Sequence, residues 1–356
     1  MGTKFKNVIL VLLILILLFL LILISSKVYK FYVTNKLDRE VSNDKNVIKI
    51  GFSLGTLKEE RWIKDRDIFM AKVKELGAEV FVQNANNDDE DQLKQIKYLL
   101  DKKIDVLVIV PNDLKKASAG VDMAKKAGVK VISYDRLVLN SNVDLYISFD
   151  NVKVGKLMAE YLVKRYPKGN YLIINGATND NNTKMIKEGY DSVLLPKVKS
   201  GDIKIIGEEW SPNWMSEYAF EATEKYIQKN YGIDAIIAGD DGLANGIIES
   251  LSEHRLAGKV AVVAQDADLA ACQRIIEGTQ LMTVYKPLDK LAGDAAKLAA
   301  KLAKGEKLNV SNTIYDGKFT VPYYKLEPIA VDKSNIDDTV IKDGFHSRDD
   351  VYRYVK

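Results

Sequence analysis

The sequence predicts an α/β protein built from two doubly wound lobes that follow one another along the chain. From Val47 onwards, short apolar runs alternate with segments whose apolar residues recur at helical spacing. Strands that are apolar on both faces and separated by amphipathic helices are typical of parallel sheets covered by helices. The alternation runs to about residue 150 and then begins again, which predicts a second sheet and a second lobe.

The first lobe begins with the strand VIKIGFSL, which is rich in the β-branched and aromatic residues that strands favour. A helix is predicted over residues 62–76, because Phe69, Val73 and Leu76 recur at three- and four-residue spacing. The strand AEVFVQNA, a helix over 91–100, the strand IDVLVIVP, a helix over 114–127 and the strand VKVISYD follow in that order.

The second lobe repeats the pattern after the strand YISFDN. Its predicted strands, each separated from the next by a helical segment, are NYLIING, IKIIGEEW, IDAIIAGDD, KVAVVAQDAD and QLMTVYKP. The glycine-rich loops GxGxxG and GxxxxGK[ST] are absent from the sequence, which argues against nucleotide binding, and we expect no cofactor.

Composition excludes several classes of function. The 356 residues carry a net charge of +3 with scattered basic residues, so the one-sided positive surface of a nucleic-acid-binding protein is not expected. The single cysteine, Cys272, excludes an internal disulfide and a multi-cysteine metal site, and we expect it to be a small buried apolar residue. His254 and His346 are interpreted as polar surface residues rather than metal ligands or catalytic bases.

The N-terminus carries an unbroken apolar run of 17 residues, 8–24, preceded by Lys4 and Lys6. A cleaved secretory signal would need a small-residue cleavage site and a lipoprotein would need a cysteine there, and the sequence SSKVYKFYVTNK that follows supplies neither. We therefore expect residues 1–26 to be an uncleaved membrane anchor and residues 27–46 a stalk. A single-pass cell-membrane protein with its globular part outside the cytoplasm is the resulting prediction.

Charged and aromatic residues stand at the carboxyl ends of the predicted strands, where ligands bind to open α/β sheets. Three cations and three carboxylates in this set balance one another, which suits an uncharged ligand with many hydroxyls, and two indole rings suit the flat C–H faces of a sugar. The candidate binding residues are Arg61, Trp62, Arg136, Asp180, Asn182, Trp214, Asp240, Asp266 and Lys286. Taken singly, Asp180 and Asp240 are equally well explained as helix N-caps, and each tryptophan as a core residue.

Several motifs together closely resemble the xylose-binding branch of the type I periplasmic sugar-binding proteins over residues 47–346. They are ERWIKDRDIF, VFVQNAN, VLVIVP, SYDR, YISFDN, AQDAD, GTQLMTVYKP and DTVIKDGFH. The resemblance implies two Rossmann-like lobes that close on D-xylose about three crossing segments near 149–151, 285–287 and 313–317. The implied domains are 47–150 with 287–313, then 151–286 with 314–346, and a tail at 347–356.

The same resemblance implies that the nine candidate residues contact the sugar. One position departs from the family pattern, because Asp240 stands in GDD where the family has an asparagine. A carboxylate there accepts from a sugar hydroxyl but no longer donates, so selectivity among pentoses is less secure than the fold.

Two functions remain open for such a protein, neither of them enzymatic. The predicted anchor favours a membrane-bound D-xylose-binding protein that signals to the extracellular domain of a sensor histidine kinase in a two-component system. The alternative is the substrate-binding subunit of a xylose ABC transporter, with a permease as its partner. A glycosidase using Asp240 and Asp266 would need a long open groove, and this set of residues surrounds a small ring instead.

Overall fold

The computed structural model describes residues 2, 24–30, 32 and 47–355. The chain divides into two compact units, Met1–Val47 and Ile48–Lys356. In the first unit, residues 24–30 are helical, and most of the predicted anchor and stalk lies outside the described residues. Within the described part, none of the helices has both the length and the apolar character needed to span a membrane.

The second unit contains two sheets, as the sequence predicts. The first sheet has the strand order β11-β12-β5-β4-β3-β1-β2 and is parallel except for the antiparallel pair β11 and β12. Its strands are β1 (Lys49–Leu54), β2 (Glu79–Asn84), β3 (Val106–Val110), β4 (Lys130–Tyr134), β5 (Leu145–Phe149), β11 (Asn312–Tyr315) and β12 (Thr320–Leu326).

Helices cover both faces of this first sheet. They are α1 (Glu60–Glu75), α2 (Asp89–Asp101), α3 (Ser118–Lys126) and α9 (Leu288–Ala303). Every residue of β3 is buried, as expected for a central parallel strand between two helical layers. On one face, Phe52, Phe69 and Tyr134 pack as a three-ring cluster, with the rings of Phe52 and Phe69 4.5 Å apart. Phe69 belongs to α1, so the cluster packs this helix against the sheet.

The second sheet has the order β13-β10-β9-β8-β6-β7 and is parallel except for β13 at its edge. Its strands are β6 (Gly169–Asn175), β7 (Ile203–Trp210), β8 (Ala235–Ala238), β9 (Ala261–Gln265), β10 (Met282–Tyr285) and β13 (Ile329–Val331). Its helices are α4 (Asn151–Arg165), α5 (Asn181–Lys199), α6 (Ser216–Gln228), α7 (Asp241–Glu253), α8 (Leu269–Glu277) and α10 (Arg348–Val351).

Glycines let α4 and α5 pack unusually close together. A methyl group at Gly155 would overlap the carbonyl of Ile186, and one at Gly189 would overlap the carbonyl of Val152. Since α4 begins directly after β5, this contact fixes the second lobe at the point where the chain leaves the first.

The chain passes between the sheets three times. It leaves the first sheet between β5 and α4 and returns between β10 and α9. The third passage lies between Leu326 and Ile329, not at 313–317, so residues 314–326 belong to the first lobe and the expected boundary needs correction. The reason is a hairpin turn that the sequence YDGK forms between β11 and β12.

Asp316 organises this turn. Its two carboxylate oxygens accept four backbone N–H groups, from Lys318, Phe319, Ser141 and Asn142. Gly317 follows with φ +99°, a conformation that favours glycine. The Asp-Gly pair is therefore a tight turn tied to the first lobe rather than a hinge.

Three single-residue expectations can be compared with the structure. Cys272 is fully buried, as predicted, and burial raises the pKa of its thiol. The interpretation of His346 as a surface residue is wrong, because only 8% of it is exposed and its Nε2 lies 2.8 Å from the carbonyl oxygen of Ala267. His254 lies at the surface beside Glu224, with Nε2 3.0 Å from the carboxylate.

The segment expected to be a tail, residues 347–356, contains α10, whose Val351 is buried against the second lobe.

Candidate functional site

One cleft between the two lobes brings together all nine residues that the sequence singles out. It lies at the carboxyl ends of the parallel strands, and the free space that its side chains leave is small, about 20 Å³. Glu59, Asp135 and Gln265 line it as well. A larger groove of about 590 Å³ beside Asp150 and Lys153 lies elsewhere, is open to solvent and contains none of the nine.

Arg61 lies at the centre of a buried network of carboxylates. Its Nη2 lies 2.7 Å from Asp135 and 3.2 Å from Asp65, and its Nη1 lies 3.4 Å from Asp266. Asp266 belongs to the second lobe, so this guanidinium links the two lobes. Burial alone would lower the pKa of Arg61, but the three carboxylates raise it well above its ordinary value, and the group stays charged.

Asp65 was not among the predicted site residues. It is completely buried, and burial raises its pKa to about 6, although Arg61 and the hydroxyl of Tyr134 oppose that shift. The hydroxyl of Tyr134 donates to Oδ1 of Asp65, while Arg61 approaches Oδ2. Asp65 thus positions the guanidinium of Arg61, although it does not itself line the cleft. The four-residue spacing on α1 was the signal in the sequence that could have found this pair.

Asp135 is the second carboxylate that the sequence analysis did not select, although it directly precedes Arg136 in SYDR. Burial would raise its pKa, but Arg61 and Lys286 bring it below the ordinary value, so it stays ionised. Its Oδ1 accepts a hydrogen bond from Nδ2 of Asn182, 3.0 Å away in the other lobe. Asn182 accepts in turn from Nδ2 of Asn151 at 2.9 Å. Its amide therefore joins the first lobe to the beginning of α4.

Asp180 combines the two roles that the sequence left open. Its Oδ1 accepts from the backbone N–H of Asn182 and so caps α5, while its Oδ2 lies 2.7 Å from Nε of Arg136. Asp240 likewise caps α7, because its Oδ1 accepts from the backbone N–H of Leu243 at 2.7 Å. Burial and the nearby charge of Asp266 raise the pKa of Asp240 well above its ordinary value. A capping role and a place in the cleft are therefore compatible.

Asp266 and Lys286 form a close pair on neighbouring strands of the second sheet. The ammonium Nζ of Lys286 lies 2.6 Å from Oδ1 of Asp266, and the side chains are 3% and 11% exposed. Asp266 has φ +103°, and two other residues of the cleft, Asp135 and Trp214, have φ +60° and +55°. Such left-handed backbone is uncommon for residues other than glycine and is enriched at functional sites.

The two predicted aromatic residues both reach the cleft. The guanidinium carbons of Arg61 and Arg136 lie 4.3 Å and 5.1 Å from the ring centre of Trp62. Trp214 packs over Gly176, where a methyl group would overlap its six-membered ring. Both indole Nε1–H groups are buried without an acceptor among the described residues. They are therefore available to a ligand oxygen.

The charges of the cleft differ from the neutral set that the sequence suggested. Arg61, Arg136 and Lys286 are the expected cations, but Asp65, Asp135 and Glu59 add carboxylates to the three expected ones. Burial raises the pKa of both Asp65 and Asp240. The cleft carries no surplus of positive charge that would favour a phosphorylated or carboxylated ligand.

A periplasmic binding protein domain matches residues 50–307 of the chain. The chain belongs to the periplasmic binding protein family. The match spans most of both lobes and includes every residue of the cleft described above. The two-lobe α/β architecture is that of this family, and its relatives are named as binding proteins rather than enzymes.

Two curated relatives of this periplasmic binding protein are named D-xylose-binding periplasmic protein. The one from Haemophilus influenzae is 48% identical over 306 residues, which cover 86% of this chain and 92% of the relative. The one from Escherichia coli is 45% identical over 319 residues, covering 89% and 97% of the two chains. These identities extend through both lobes.

Solved structures support the same fold. An ABC transporter solute-binding protein from Clostridium phytofermentans, solved with bound β-D-glucose, is 28% identical to this chain with a TM-score of 0.80. The similarity covers 85% of this chain and 99% of that one.

Proposed function

We propose that this chain binds D-xylose outside the cytoplasm and delivers it to an ABC permease as the transporter's substrate-binding subunit. The observation that carries the proposal is the convergence of aromatic and charged side chains from both lobes on one small buried cleft. The names of the relatives, xylose-binding and ABC solute-binding proteins, favour transport over the kinase-linked function that the N-terminal segment suggested.

The chemistry of the cleft fits a neutral pyranose. Two buried indole N–H groups have no acceptor among the described residues, and the oxygens Oε2 of Glu59 and Oε1 of Gln265 have no donor among them. A sugar hydroxyl both donates and accepts, so a small polyol satisfies both kinds of group. Indole rings add contact with the C–H faces of the ring.

Closure of the lobes provides the mechanism. Arg61 with Asp266, Arg136 with Asp180, and Asn182 with Asp135 connect opposite sides of the cleft. At the rim, the backbone N–H of Leu114 donates to the carbonyl oxygen of Asn179 at 3.1 Å. A sugar that binds the closed form better than the open form shifts the population towards closure, and a permease then recognises the closed surface.

Calorimetric titration of residues 48–356, which form a compact unit, tests the ligand. D-Xylose, L-arabinose, D-ribose and D-glucose are compared at equal concentrations. We expect D-xylose to bind most tightly, with at least about tenfold preference, equal to about 1.4 kcal/mol. Absence of xylose binding, or a stronger response to D-glucose, would overturn the assignment.

A sensor function is the second candidate, and the apolar run at residues 8–24 is the observation that favours it. In that case closure changes the surface offered to the extracellular domain of a sensor histidine kinase, and the N-terminus holds the protein at the membrane. Affinity purification of the full chain from membranes, with and without D-xylose, separates the two functions. A co-purifying permease and ATPase support transport, and a co-purifying histidine kinase supports sensing.

A further inference from the structure

One corner of the cleft carries hydrogen-bond acceptors that no donor of the described chain reaches. Oε2 of Glu59 and Oε1 of Gln265 are buried and have no hydrogen-bond partner among the described residues. Gln265 is 3% exposed, and its Nε2 is already used by the carbonyl oxygen of Gly239 at 2.9 Å. Asp240 lines the same cleft, and its Oδ1 accepts from the backbone N–H of Leu243. Buried acceptors without donors are costly unless a ligand or water supplies the hydrogen.

The cations of the cleft are engaged elsewhere. Arg61 is bound to Asp135, Asp65 and Asp266, while Arg136 and Lys286 pair with Asp180 and Asp266. The ammonium of Lys58, next to Glu59 in the chain, lies 3.4 Å from the carbonyl oxygen of Trp214. The acceptor corner, defined as Glu59, Asp240 and Gln265, therefore has no cation of its own among the described side chains.

The local backbone leaves the side chain of Glu59 free for a ligand. Glu59 occupies the N-cap position of α1 with extended backbone, φ −80° and ψ 144°, yet its carboxylate makes no capping hydrogen bond. The backbone carbonyl of Glu59 accepts from Trp62 N–H at 3.1 Å. Its side chain is thus carried into the cleft at the beginning of the same helix that positions Arg61 and Trp62.

Glu59 and Asp240 also mark the boundary of the cleft. Together with Trp214 they line both the cleft and a second cavity of about 270 Å³ beside it. Lys58 also lines the second cavity, where its Nζ lies 3.4 Å from the carbonyl oxygen of Trp214. The end of a ligand that faces this boundary meets the carboxylates of Glu59 and Asp240, which accept hydrogen bonds from hydroxyl groups.

We propose that Glu59 is a ligand-binding, specificity-determining residue that acts with Asp240 to accept hydrogen bonds from sugar hydroxyls at the end facing the second cavity. This inference rests on the proposed sugar-binding function and adds a residue that the sequence analysis did not select. It assigns to this end of the cleft a requirement for hydroxyl donors, so a sugar that lacks the hydroxyl there binds more weakly.

The test combines two variants with a ligand series. Glu59→Leu removes the acceptor, and Glu59→Gln keeps one acceptor oxygen without the charge. Residues 48–356 of each variant are titrated with D-xylose and with the monodeoxy analogues of D-xylose that lack one hydroxyl each. Glu75→Gln is the matched control, because Glu75 is an exposed carboxylate at the other end of α1 and pairs with Lys72 at 3.2 Å.

We expect Glu59→Leu to weaken D-xylose binding at least about tenfold, Glu59→Gln to weaken it less, and the control to match wild type. In the wild type, one deoxy analogue should bind more weakly than D-xylose. In Glu59→Leu, the same analogue and D-xylose should bind with equal affinity. Equal losses for every ligand indicate a structural role and overturn the proposal, as does unchanged affinity in both Glu59 variants. Failure of the wild type to bind any pentose would instead refute the proposed function.

Discussion

Nε of Arg136 lies 2.7 Å from Oδ2 of Asp180, and these two side chains from opposite lobes are 10% and 3% exposed. Removing one member of a buried ion pair leaves the other charge uncompensated, so such pairs are sensitive to substitution. Because the partners belong to different lobes, their interaction contributes to closure rather than to the folding of either lobe.

Asp180→Asn is therefore predicted to weaken D-xylose binding at least about tenfold, or about 1.4 kcal/mol, measured by calorimetry. Asparagine is as good an N-cap as aspartate, so α5 stays capped and the thermal midpoint of the unliganded variant changes little. Asp180→Ala should lose both the cap and the ion pair and lower the midpoint as well. Equal affinity of wild type and Asp180→Asn would contradict a role for the pair in closure.

Trp62 supplies the second prediction. Trp62→Ala should weaken D-xylose binding at least about tenfold, and Trp62→Phe should weaken it less, because a phenyl ring keeps part of the flat apolar face. Trp62 also packs in the core of the first lobe, so thermal unfolding is measured on the same samples. An alanine variant that is folded and binds D-xylose like wild type would place the sugar elsewhere.

Gly176 offers a test in which none of the nine candidate binding residues is substituted. Gly176→Ala introduces a methyl group into the space of the Trp214 ring, so the indole must move. We predict at least about tenfold weaker D-xylose binding, together with a change in tryptophan fluorescence. Gly293→Ala is the control, since the nearest atom to a methyl group there is 3.9 Å away, in Lys72. Unaltered binding by the Gly176 variant would show that the position of Trp214 is unimportant.

Asp316 is predicted to stabilise the first lobe through its four backbone hydrogen bonds. Asp316→Asn replaces one acceptor oxygen by an NH₂ group that faces N–H donors, so we expect a loss of about 1 to 3 kcal/mol in the free energy of unfolding. Burial would raise the pKa of Asp316, but the backbone N–H groups lower it overall. Its contribution is therefore present above about pH 4 and lost as the pH falls below that.

Denaturant unfolding of both proteins at about pH 7 and about pH 3 measures this difference. The difference in the free energy of unfolding between wild type and Asp316→Asn should be large at neutral pH and small in acid. A difference that does not depend on pH would show that the carboxylate charge has no part in it.

The contacts of His346 lead us to predict that sugar affinity depends on pH. The carbonyl oxygen of Ala267 only accepts, so Nε2 carries the hydrogen and Nδ1 accepts from Nζ of Lys64, 3.3 Å away in the other lobe. Burial lowers the pKa of His346 and Lys64 lowers it further, while Glu60 and Asp350 oppose the shift. Closure against Lys64 thus favours neutral histidine, and protonation favours the open form.

Because opening returns His346 towards an ordinary pKa of about 6.5, the D-xylose Kd should rise up to about tenfold from about pH 7.5 to about pH 5.5. His346→Gln keeps a donor for Ala267 but does not titrate, so its Kd should change less over the same range. The difference between the two pH profiles removes the effect of the carboxylates of the cleft. Identical profiles would exclude His346 as the group responsible.

The architecture and the convergence of the nine residues could be predicted from the sequence. Parallel strands present their carboxyl ends at one edge of a sheet, so residues such as Asp180 and Asp266, far apart in the chain, come together. Whether these residues bind the sugar stays a prediction.

The four-residue spacing of Arg61 and Asp65 indicates that they can pair, but the burial of Asp65 could not be predicted from the sequence. Asp65 lies in the charged sequence KDRD, which is typical of an exposed helix face, but it is fully buried because Arg61 and Tyr134 both bond to it. Tyr134 comes from another strand, and a long-range partner of this kind leaves no local pattern. The third crossing was misplaced for a related reason, since the hydrogen bonds from Ser141 and Asn142 that tie the Asp316 turn to the first lobe are long-range.

The left-handed backbone at Asp135, Trp214 and Asp266 constrains how this receptor can be redesigned. Residues with a β-branched side chain are poorly tolerated there, so valine, isoleucine and threonine at these positions will be strained. Glu59 lies on extended backbone and carries no such restriction. An engineer who wishes to change ligand preference, for instance to build a pentose biosensor, should therefore begin at the helix entrance and leave the three loop tips unchanged.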